Sequence, residues 1–151
     1  MAKGNKVVKQ KETAVGNKQA KNVEDPLSFM GLHPVWSFKK LDNEYGKWGF
    51  IHSDNLYNDV ISKLKDNEGL TWHEIISASG GRSHGTNSHY ENVSDLVPEA
   101  QKRWKDLHLE EYDRIFSLRL TGRHRLYGIL QSGVFSIVWF DQNHEIYPVS
   151  K

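Results

Sequence analysis

The chain has 151 residues, 11% of them aromatic and five of them tryptophan, which suits one domain with extensions and an ample core. It contains no cysteine, so a disulfide framework and thiolate metal or catalytic sites are excluded. The formal net charge of +1 excludes a globally basic nucleic-acid binder, and any anion site must be local.

That charge is unevenly placed. Residues 1–25 hold six lysines against Glu12, Glu24 and Asp25, which leaves the rest of the chain at −2. Residues 1–24 carry no aromatic residue and no sustained periodicity, and they read as a disordered basic tail, either solubilising or a weak tether to nucleic acid. The start shows no apolar leader, and no run approaches the roughly 18 apolar residues that span a bilayer. A soluble, cytoplasmic protein without a membrane partner is expected.

Residues 25–151 are expected to form a single α+β domain. PVWSFKKLDNEYGKWGFIH predicts loops with one or two short strands. Asp54 or Asn55 is placed to cap a helix through about Lys65, in which Leu56, Val60, Ile61 and Leu64 share a face. Thr71 and Glu74 form a capping box for a second short helix whose Ile75 and Ile76 face the core. Trp72 and Trp139 are read as core. SASGGRSHGTNSHYEN, residues 77–92, reads as a loop. Ser94 begins another capping pattern, and Val97, Ala100, Gln101, Trp104 and Leu107 mark a helix from about 97 to 108, with Pro98 in its first turn.

From Arg114 the period becomes two. Phe116, Leu118 and Leu120 alternate with Ser117, Arg119 and Thr121; Thr121-Gly122 turns the chain into HRLYGIL, and Gln131-Ser132-Gly133 makes a hairpin into the apolar strand VFSIVWF. Asp141-Gln142-Asn143 is the next turn, where Asp141 with His144 serves most simply as a cap, and EIYPV predicts a short edge strand. The expected architecture is N-terminal helices and loops packed on a small C-terminal antiparallel sheet.

RLTGRHRLYGIL places Arg119, Arg123 and Arg125 within seven residues. Arg119 points away from the face of Leu118 and Leu120, and Tyr127 shares a face with Arg125. Planar guanidinium forks beside an aromatic ring suit phosphate binding and base stacking; the same pattern also fits a solvated sheet face with Arg–Glu pairs.

A helix, then LRLTGRHRLYGI, a turn, a hydrophobic strand and HEIY resembles the RelE/ParE-type toxin superfamily over about residues 96–149, with 25–95 as an N-terminal extension. The resemblance implies a RelE-like fold and a metal-independent mRNA endoribonuclease, the toxin of a toxin–antitoxin pair, with RNA, a cognate antitoxin and the ribosome as partners. It places Arg125 on the scissile phosphate, with Arg119, Arg123 and Tyr127 as supporting contacts. Arginine would stabilise the extra negative charge. His144 and Tyr147 stand where the family keeps a terminal acid/base.

His84 and His89, in the loop RSHGTNSHYE, compete for that role if the loop folds over the arginine strand. As a metal pair they lack a clear third ligand, so no metal or cofactor is expected. Against the enzyme stands a non-catalytic module on the same fold, a phage- or plasmid-encoded regulator or inhibitor binding protein or nucleic acid.

Overall fold

The computed structural model describes residues 29–78 and 87–148. The basic tail and residues 79–86 of the Gly/Ser loop, His84 among them, lie outside the described residues. The strands are β1 (Val35–Ser37), β2 (His89–Asn92), β3 (Arg114–Arg119), β4 (Arg125–Gln131) and β5 (Val134–Asp141). The α-helices are α1 (Ser62–Asn67), α2 (Trp72–Ser77) and α3 (Pro98–Asp106). The strands form one sheet in the order β1-β5-β4-β3-β2.

The α+β class therefore stands, but the sheet is mixed. β2, β3, β4 and β5 are antiparallel neighbours, whereas β1 lies parallel to β5 with Val35 opposite Val134. The chain then continues along the same edge, where Asp42 N donates to Val138 O at 3.0 Å and Phe140 N to Trp48 O at 2.8 Å. β2 was expected to be loop; its pairing with β3 overrides the weak strand preference of Glu and Asn. Residues 145–148 of EIYPV form no strand, because Asp141 folds them into a capped turn instead; Val149 lies outside the described residues.

Strand alternation splits the core across the sheet. One face carries Phe116, Leu118, Leu126, Leu130, Phe135, Ile137 and Phe140 against Val60, Leu64, Trp72 and Ile75 of the α1–α2 side. The other carries Ile115, Tyr127, Ile129, Val138 and Trp139 against Ala100 and Trp104 of α3, with Trp48 and Ile146. The fold is thus a sheet between two helical layers, not a sheet with all helices behind it.

Several local expectations hold. Thr71 accepts from Glu74 N, and Glu74 returns a bond to Thr71 N at 3.2 Å, closing the capping box of α2. Two differ. The helix ending in α1 opens with a π-helical turn, Tyr57–Ile61; Val60 and Leu64 are buried, while Ile61, a step round the helix from that stripe, is 38% exposed. Ser94 lies in a 3-10 turn, Val93–Asp95, and the N-cap of α3 is Val97, which offers no side-chain cap.

Gly128 sits at a register shift between β4 and β5, where an added Cβ would stand 2.1 Å from Ser136 O. Only glycine permits so close a backbone approach.

Candidate functional site at the arginine end of the sheet

The start of β2, the end of β3, the start of β4 and the end of β5 meet at one end of the sheet. Register sets Arg119 opposite Arg125 and Arg125 opposite Asp141, all on one face; one step inward, His89, Ser117, Tyr127 and Trp139 form a second row. With neighbouring strands about 4.8 Å apart, the arginine row spans only about 10 Å.

The turn between β3 and β4 is built from its own polar groups. Leu120 N donates to His124 O at 3.0 Å, and Thr121 Oγ1 accepts from His124 N at 3.0 Å and from Arg123 N at 3.3 Å. Arg123 is exposed at its tip. Arg125 is only 2% exposed, and its Nη1 donates to Thr121 O at 2.6 Å and His124 O at 3.1 Å. Burial pushes its pKa down; Tyr127 and Asp141 oppose that, and Arg119 adds to it. The residue that the resemblance places on the scissile phosphate is therefore buried and tied to its own turn.

Asp141 is fully buried. It accepts from Glu145 N at 3.0 Å and from Ile146 N at 2.8 Å, as a turn cap should. Burial raises its pKa, and backbone hydrogen bonds together with His144 oppose the rise. His144, half-buried, takes a left-handed φ of 59° on this turn.

Glu91 gathers the other candidates. It meets His89 Nε2, while His89 Nδ1 faces Asn87 O. Tyr147 also hydrogen-bonds to Glu91, whose charge is the chief cause of a raised tyrosine pKa, with burial and Asp95 adding to it. Tyr127 is buried, hydrogen-bonds with Ser117 and has its pKa raised, chiefly by desolvation. It is a core residue under the arginine row, not an open stacking platform.

Arg119 differs from Arg125. It is half-buried and forms no ion pair among the described residues, and its Nε is buried without a partner. Its backbone N–H donates to Ser88 Oγ at 2.9 Å. A cavity of about 70 Å³ lies here, lined by Asn67, Leu70, Ile75, Ala78, Ser88 and Arg119. A larger one of about 300 Å³, between α3 and the approach to β3, holds none of the candidate residues.

No model of a known protein family matches this chain, and comparison with curated proteins and with solved structures finds no match either.

Sequence reasoning found the arginine cluster, His89, His144 and Tyr147, and the structure brings these to neighbouring positions of the sheet and its final turn. It missed Glu91, Ser88 and the cavity. The spacing His89-x-Glu91 was the one available signal for Glu91, since period two puts both on one face of a strand. Among the described residues no three His, Asp or Glu side chains are grouped to hold a metal ion, and no helix is long and apolar enough to cross a membrane.

Proposed function

We propose that the arginine end of the sheet binds RNA phosphate, with Arg119 as the principal contact and exposed Arg123 as the second, and that the chain is a RelE-like, metal-independent endoribonuclease toxin. The observation that carries this reading is Arg119 itself. It stands directly across from another arginine, forms no ion pair among the described residues, and its Nε has no hydrogen-bond partner among them. Like charges directly opposite on a sheet destabilise it, and a bound phosphate relieves that repulsion through a planar, two-pronged contact.

In this reading Arg125 anchors the turn that presents Arg119 and Arg123. Arg119 stabilises the negative charge that develops on the phosphorus oxygens as the 2′-oxygen bonds to phosphorus and the bond to the 5′-oxygen breaks. His144, at the same end of the sheet, takes the 2′-hydroxyl proton or gives one to the departing 5′-oxygen. Tyr147 and His89 are less available, because Glu91 already engages both.

The test is cleavage of labelled RNA in the presence of a chelator, with growth on expression as a second readout. Arg119→Ala is expected to lower cleavage by about 100-fold, and Arg119→Lys to recover part of it. Unchanged cleavage by Arg119→Ala, or a wild-type protein that neither binds nor cuts RNA, would sink the proposal. The engagement of His89 and Tyr147 by Glu91 favours a second reading, a module that binds RNA without cutting it; RNA binding with no cleavage would select it.

A further inference from the structure

The cavity beside Arg119 is lined from three segments. Asn67 and Leu70 come from the end of α1 and the turn after it, Ile75 and Ala78 from α2 and its cap, and Ser88 and Arg119 from the β2–β3 edge. Its 70 Å³ has room for a few waters or for one phosphoryl group, and is too small for a ribose or a base.

Its polar groups have unspent donor capacity. Ser88 is 4% exposed and uses its oxygen to accept from Arg119 N, which leaves its own O–H to donate. Arg119 Nε is buried with no partner among the described residues. Asn67 adds a side-chain amide. A buried donor left without an acceptor is costly, and an oxyanion in the cavity satisfies all three at once.

We propose that this cavity is a pocket for one terminal phosphate, a phosphomonoester at an RNA end. The inference rests on the RNA reading of Arg119 and adds to it a second phosphate site, for an RNA end, apart from the scissile phosphodiester. A phosphodiester within a strand carries a ribose on each side, and the apolar walls of Leu70, Ile75 and Ala78 offer no room for two. A terminal phosphate has a single attachment and three oxygens, which matches a shallow pocket with three donors.

The test uses the full chain and a short, non-cleavable 2′-O-methyl RNA of one sequence in three forms: 5′-phosphate, 3′-phosphate, or hydroxyl at both ends. Inorganic phosphate serves as competitor. A terminal phosphate at one of the two ends is expected to tighten binding by about 10-fold, and inorganic phosphate to compete away that increment. Ser88→Ala and Asn67→Asp should each bring the preference close to one; a thermal melt of Asn67→Asp, a change at a helix end, shows that the fold is kept. Equal affinity for the three forms overturns the pocket and leaves the RNA reading standing. A preference that survives both substitutions overturns its assignment to this cavity. Inorganic phosphate bound in a Ser88-dependent way, with no affinity for any RNA, supports the pocket and overturns the RNA reading.

Discussion

Asp42 is 2% exposed, and its carboxylate accepts from Arg103 Nε at 2.8 Å, Arg103 Nη2 at 2.7 Å and Trp139 Nε1 at 2.9 Å. One side chain thus ties the edge segment to α3 and to β5. Removing one partner of a buried pair leaves the other charge stranded, so Asp42→Ala is expected to cost about 3–5 kcal/mol by urea unfolding. Burial alone would raise the pKa of Asp42, but the bonds from Arg103 and Trp139 and the arginine charge outweigh it, and the net direction is down. Its contribution is therefore present above the ordinary aspartate value and lost as pH falls through the lower folded value. Asp42→Asn should lack that acid-side loss. Asp141 has the opposite sign: its pKa is raised, so its proton-linked stabilisation fades as pH rises through the folded value. Stability curves of the two asparagine variants against pH should bend in opposite senses relative to wild type.

At the scale of elements, α2 has only six residues, so its cap matters more than its propensity. Thr71→Ala is expected to cost about 1 kcal/mol, measured by thermal or urea unfolding. The β4–β5 hairpin turns on Ser132 and Gly133, with φ of 52° and 82°. Both positive values mark the turn that favours Asn-Gly, and serine meets a left-handed backbone less well than glycine or asparagine. Ser132→Asn should raise stability by about 0.5 kcal/mol; a fall would contradict the turn assignment. The capping box, the hairpin and the three strands from Arg114 onward were legible in the sequence because each depends on residues within a few positions of one another. β2 was not. Apart from Tyr90 its residues are poor strand formers, and its strand depends on the ladder that β3 offers it.

The whole molecule is nearly neutral, so RNA affinity from the arginine end should respond only modestly to salt. Two phosphate contacts give a slope of log affinity against log salt of about −1.4, and Arg119→Ala or Arg123→Ala should each lessen it by about 0.7. A slope several units steeper, unchanged by either substitution, would assign binding to the six lysines of residues 1–25 instead. The candidate site was legible as a cluster and not as a site. Spacing showed three arginines close together, and period two put Tyr127 on the face of Arg125; the register that sets Arg119 opposite Arg125 came with the fold. Spacing says nothing of which guanidinium the turn consumes.

Local signals in the sequence determined the strand alternation from Arg114 onward, the capping box of α2, the β4–β5 hairpin and the placing of Trp72 and Trp139 in the core, since all of these are fixed by near neighbours and by the preference of apolar side chains to leave water. Only the tertiary structure decided the parallel pairing of β1 with β5, which joins residues about a hundred positions apart. It also decided that Arg125 is buried on its own turn while Arg119 keeps an unpartnered nitrogen. Two arginines six residues apart have the same chemistry. Register, burial and the nearest carbonyl oxygens make one a structural cation and leave the other with hydrogen-bonding capacity to spare.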